Sequence, residues 1–226
     1  MLRKFIYSLV SKIRNISLDP QIPSAYLIRL LSGKIVNRIY GSIRLLTIRS
    51  VLLNPSAILR GSSCFKFGRN LMIGPRCYID ALGIEGITCG DGVSFGIGTT
   101  MIVTGSLQQL GKGIRIGNNV GLGTCGHYGG AGGLEIGDDT IIGNYVSIHP
   151  ENHNFKDLDI PIRLQGVNHK GIKIGKGCWI GAKSTILDGT QIGNGCIVAA
   201  GAVVSGIFPD NVIIGGIPAR IIKTRE

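Results

Sequence analysis

From Ile174 to Ser205 the chain repeats itself in sixes. Ile174, Ile180, Ile186, Ile192, Val198 and Val204 are aliphatic, and the residue four places after each of the first five is small: Cys178, Ser184, Thr190, Cys196 and Ala202. Gly fills the second slot of three of these five units, at 175, 181 and 193. An amphipathic helix spaces apolar residues by three and four, and a half-buried strand spaces them by two, so a strict six fits neither. It fits short parallel strands wound as successive coils, each of which can bury its apolar face only against the next. Three hexads make 18 residues, so Ile174 and Ile192, Cys178 and Cys196, and Ile180 and Val198 fall above one another.

The same beat is audible earlier, at Phe67, Ile73, Ile79, Cys89, Phe95, Ile116, Leu122, Ile136, Ile142 and Ile148, which predicts six coils in all. Excursions interrupt it, one around 105–113 and a glycine-rich bulge at 126–133. The largest break separates Ile148 from Ile174; these hexad starts lie 26 apart, which leaves 20 residues outside the coil. A loop is therefore expected at about 154–173, with Glu151-Asn-His153 at its root and Pro161 to Gly166 further out. Long loops in compact domains are usually functional or disordered, and function is expected here.

Composition agrees with turns at regular intervals: 36 Gly is about twice what an average usage of roughly 7% gives. The formal charge of +11 is concentrated, because residues 1–50 hold nine Lys/Arg against Asp19 alone. Residues 2–16 read as a basic amphipathic helix. Asp19-Pro-Gln-Ile-Pro23 breaks it, and Ser24 is placed to cap a second helix. Two readings of the segment 1–50 stand together: it packs on the repeats or caps their open end, or it meets an anionic membrane surface. The expected domains are this helical segment and a repeat domain over 51–226. No signal peptide or apolar run of about 18 residues is apparent. The six cysteines show no metal-ligand spacing, and Cys77, Cys178 and Cys196 occupy the small inward slot, so thiols in a reducing compartment are expected. No nucleic-acid partner is expected.

Over 67–223 the ordered set of the His-bearing loop, Cys178-Trp-Ile-Gly-Ala182, Val198-Ala-Ala-Gly-Ala202 and Gly215-Gly-Ile-Pro-Ala-Arg220 resembles the hexapeptide-repeat acyltransferases. Within that group it is most similar to bacterial sugar and polysaccharide O-acetyltransferases and their maltose and galactoside relatives. The resemblance implies an all-β left-handed parallel β-helix, a homotrimer, and acetyl-CoA lying in a groove between neighbouring subunits. It also implies a carbohydrate acceptor and a cytoplasmic enzyme, with residues 1–50 available for peripheral contact at the inner membrane face. Handedness rests on the resemblance alone, since parallel crossovers are otherwise nearly always right-handed.

Acetyl transfer to a hydroxyl needs its proton removed as oxygen attacks, and an imidazole suits that task near neutrality. His127, His149, His153 and His169 are the candidates. In the family the base follows the valine-like position, here Val146, by seven residues, which selects His153 over His149. Glu151 is the nearest carboxylate that could orient the ring, and a backbone N–H of a glycine-rich turn would stabilise the oxyanion. By motif match Trp179, Gly181, Ala182, Ala200 and Gly201 line the coenzyme; Arg220, with Lys223, meets its phosphates. Ser205-Gly206 stands where relatives often have Thr-Lys, so that contact is absent or replaced. Trp179 is equally readable as a buried indole, and His127 with Tyr128 as an acceptor contact. No metal is expected. Two alternatives are a zinc enzyme resembling the carbonic anhydrases of this fold, with His127, His149 and His153 as ligands, and a non-catalytic trimeric scaffold.

Overall fold

The computed structural model describes Leu18, Asp19 and residues 21–226; the helix expected over 2–16 falls outside them. From Val51 onward the chain winds as a left-handed parallel β-helix. Each coil lays one short strand on each of three faces, which build sheets of nine, seven and seven strands. The first coil is Val51–Leu53, Ile58–Arg60 and Phe65–Phe67. Seven coils are complete rather than six. The additional one is the first, where Asn54-Pro55 replaces the usual glycine and the step from Leu59 to Phe67 is eight residues, so no clean six marks it.

Register explains the period. One inward row runs Leu53, Ile73, Phe95, Leu122, Ile142, Ile180, Val198, Ile214 on the first face. A second runs Leu59, Ile79, Met101, Tyr128, Ile148, Ile186, Val204. A third runs Phe67, Cys89, Ile116, Ile136, Ile174, Ile192, Phe208. Nearly all are buried, and burial of each large aliphatic stabilises the fold by roughly 1.5–3 kcal/mol. The small slot sits inside a corner, where its side chain ties down the turn: Ser184 Oγ donates to the Gly181 carbonyl at 2.9 Å and Thr140 Oγ1 to that of Gly175 at 2.9 Å. The second-slot glycine is required by coil spacing. A Cβ on Gly181 would lie 2.5 Å from the Ala200 nitrogen, and one on Gly143 would lie 2.6 Å from that of Ala182.

Helix α1, Ser24–Arg44, lies against the first coil, with Gly41 facing Val51 and Leu53, while Tyr40 and Leu45 pack on the main core. The expected serine cap is not used. Pro23 takes the cap position and Ser24 is the first helical residue, with no side-chain cap bond. Among the described residues no helix is long and apolar enough to cross a membrane. At the other end Val212–Gly216 continues the first face and pairs antiparallel with the last strand, Ala219–Thr224.

Two excursions leave from the same corner, between the second and third faces. One joins Thr100–Ile102 to Ile114–Ile116; the other joins Ser147–His149 to Ile172–Ile174. Across the second, Ile141 pairs with Trp179, 38 residues on, whereas Trp179 pairs with Ile197 after 18. The extra residues thus leave the ladder undisturbed. The loop departs at Pro150 and returns at Gly171, a few residues earlier at both ends than its hexads indicate.

Candidate active site

His153 stands on that loop. Asn152–His153 pairs antiparallel with Val167–Asn168, and His153 lies opposite Val167. Asn154 reinforces the pairing: its N–H donates to the Gly166 carbonyl at 3.0 Å, its Nδ2 to the Gln165 carbonyl at 3.0 Å, and its Oδ1 accepts from Asn168 Nδ2 at 2.6 Å. Gln165 gathers the tip by donating from Nε2 to the carbonyls of Asp157 at 2.7 Å and Ile160 at 2.6 Å. The loop carries its own hydrogen bonds.

Its root is held by Asp188, a buried carboxylate at the following coil's corner. Asp188 accepts from Asn152 Nδ2 at 3.2 Å on the outgoing limb, and from the N–H groups of Lys170 at 2.9 Å and Gly171 at 2.9 Å on the returning limb. A buried charge needs such donors. One side chain therefore fixes both limbs, one residue from His153.

The 104–111 excursion rises at the same corner, and between the two lies a cleft of about 450 Å³ lined by Ser106, Gln108, Gln109, Glu151, His153, Arg163 and His169, among others. Glu151 shares this cleft, yet among the described residues no hydrogen bond joins it to His153. No motif marks Gln108, Gln109 or Asp188; the interruption of the beat at 105–113 signals the first two, and Arg163 falls in the Pro161 to Gly166 stretch of the expected loop.

His127 and His149 lie on the outer side of the second face with rings stacked 5.4 Å apart. Burial, and then the charge of His149, hold the His127 imidazole below its ordinary pKa. Tyr128 does not join them at the surface. Strand alternation turns it inward, fully buried in the row of Leu59 and Val204, where Gly126 leaves room for its hydroxyl; this corrects its reading as an acceptor contact. Among the described residues no three His, Cys, Asp or Glu side chains converge as a metal-binding set.

The residues matched to the coenzyme lie elsewhere on the prism. Trp179 is exposed on the first face, between Ile141 and Ile197, and is not a buried indole. Gly181 and Ala182 form the next corner, directly under Ala200 and Gly201; the Gly201 N–H donates to the Ala182 carbonyl at 2.9 Å. Arg220 and Lys223 are exposed on the last strand, and Arg220 Nη1 donates to its neighbour's carbonyl, Ala219, at 2.8 Å. These seven share the first face and its corner with the second, whereas His153 leaves from the corner between second and third. One chain does not bring them together.

Residues 171–206 match the family model described as bacterial transferase hexapeptide (six repeats). WbbJ of Escherichia coli, an assigned lipopolysaccharide biosynthesis O-acetyl transferase, is 37% identical over 139 residues, which is 58% of this chain and 71% of that protein. The chain belongs to the bacterial hexapeptide-repeat transferases. A further member, the galactoside O-acetyltransferase of Escherichia coli, is 32% identical over 95 residues, 40% of this chain and 43% of its own length. An assigned acetyltransferase of Mycobacterium tuberculosis is 36% identical over 113 residues, and there this hexapeptide-repeat chain spans only 38% of the relative's length. Among solved structures, AntD, an N-acyltransferase from Bacillus cereus in complex with dTDP and 3-hydroxybutyryl-CoA, shares the fold with a TM-score of 0.52 at 22% identity, covering 78% of this chain and 80% of that one.

Proposed function

We propose that this hexapeptide-repeat transferase moves the acetyl group of acetyl-CoA to a hydroxyl of a sugar or polysaccharide precursor. The observation that carries the reading is His153 on a loop clamped at both limbs and lining a cleft of about 450 Å³ that also holds Gln108, Gln109 and Arg163. His153 Nε2 or Nδ1 takes the acceptor hydroxyl's proton as its oxygen attacks the thioester carbon. The tetrahedral oxyanion is met by a backbone N–H of a glycine-rich corner, and collapse expels the coenzyme A thiolate, to which the proton passes. Gln108, Gln109 and Arg163 offer hydrogen bonds to acceptor hydroxyls.

Because His153 and the small-residue corner of Gly181, Ala182, Ala200 and Gly201 lie on different edges, the complete site forms between copies, in a homotrimer. The exposed apolar loop residues Phe155, Leu158, Ile162 and Leu164 fit such a neighbour. Hydroxyl rather than amine acceptance is supported by the relatives WbbJ and galactoside O-acetyltransferase.

The test is release of coenzyme A thiol with a panel of glycans and amino sugars. A hydroxyl acceptor should be turned over, and His153→Ala should lower kcat/KM by on the order of 10²- to 10⁴-fold with acetyl-CoA affinity retained. Preference for an amine over every hydroxyl, or unchanged turnover in His153→Ala, would reject the assignment.

A further inference from the structure

Helix α1 has a face that the β-helix does not use. Leu27 and Gly41 are buried on the inner side, while Ile28, Ile35, Val36, Ile39 and Ile43 are exposed. At 3.6 residues per turn these five fall within a stripe about 100° wide, with Arg29 at one border and Arg38 at the other. Exposed Ser32 lies among them, and the five are about half exposed or more, from Ile28 at 48% to Ile43 at 69%. Leu46 and Ile48 extend the apolar surface beyond the helix end. A chain free in water gains nothing by presenting aliphatic groups in this order, since a solvated helix face is ordinarily polar.

Charge decides what covers it. Residues 20–50 contain Arg29, Lys34, Arg38, Arg44 and Arg49 and no acidic residue. Apposing this face with its own copy would set guanidinium groups against one another with no carboxylate to neutralise them. An apolar stripe bordered by cations matches instead an interface that is apolar inside and negative at its rim, which is the boundary of an anionic bilayer. We infer that the outward face of α1 docks on an anionic lipid surface, with Ile28, Ile35, Ile39 and Ile43 entering the acyl boundary and Arg29, Arg38 and Arg44 meeting lipid phosphates. The docking element is the helix fixed on the first coil, so the repeat domain is held at a set orientation to the surface rather than tethered by it.

The experiment is co-flotation of the full chain with vesicles of phosphatidylcholine and phosphatidylglycerol in equal parts, against phosphatidylcholine alone. Binding is expected to the anionic vesicles and to fall at least about tenfold when salt is raised from about 0.1 to about 0.5 M. Ile35→Ser/Ile39→Ser, both exposed, should weaken it by about tenfold or more with unchanged thermal midpoint and oligomeric state. Arg29→Gln should cost roughly fivefold. No binding by the native chain, or equal binding by the double variant, would overturn the proposal. So would loss of oligomeric state in the double variant, which would make this face a contact between copies.

Discussion

His127 illustrates how one side chain couples the stability of the fold to pH. Burial and the stacked His149 depress its pKa, so below the ordinary value of 6.5 the unfolded chain takes up a proton that the folded chain resists. Stability should be flat above that value and fall as pH drops from it toward the folded pKa, read as the thermal midpoint against pH. In His149→Asn the His127 ring should titrate higher by NMR, because the second cause has gone. Tyr128 makes the opposite kind of prediction. Its hydroxyl is buried without a hydrogen-bond partner among the described residues, and such a group costs about 1–3 kcal/mol. Tyr128→Phe should therefore raise the thermal midpoint by about 2–4 °C per kcal/mol recovered.

Among the elements, the corners divide glycines into two kinds. Gly181 is short of space, and Gly181→Ala should lower stability by about 1–3 kcal/mol. Gly177 is short only of conformational alternatives: its φ is +64° and nothing lies within 4 Å of an added Cβ. Gly177→Asn should change the thermal midpoint little, since Asn119 and Asn211 already adopt that conformation. The His153 loop hangs on Asp188. Asp188→Ala should lower kcat by about tenfold to a hundredfold, because a displacement near 1 Å suffices for that, while the acetyl-CoA dissociation constant stays put; Asp188→Asn should recover part of the loss through its remaining acceptor oxygen. Equal losses in both quantities would assign Asp188 to folding alone. The aliphatic and small slots from Ile174 to Val204 were readable because stacking tolerates few side chains there. The first coil was not, since Asn54-Pro55 and an eight-residue step obey the same stacking without its usual residues. Asp188 was hidden for a different reason: in Ile186-Leu-Asp-Gly-Thr190 it occupies a slot that ordinarily faces water, and only the loop returning from 170 covers it.

For the molecule as a whole, the separation of His153 from the Ala200 corner makes assembly testable through activity. Mixed oligomers of His153→Ala and Ala200→Trp should regain about a quarter of native turnover if each site draws on two copies in a cyclic trimer, whereas self-contained sites would recover none. The end of the prism far from α1 is closed off. A stack of parallel strands that simply stopped would offer a row of unpaired amide groups in the register a further coil requires. Here Ala219–Thr224 turns back and takes that position on the first face with reversed polarity. A parallel coil cannot be added to an antiparallel strand in the same register, so the chain supplies its own chain terminator, in the sense used for polymer growth. Because α1 covers the first coil at the opposite end, removing 217–226 should free one end alone and cause particles to pair through it, visible as a doubled mass by light scattering, rather than to grow into fibres.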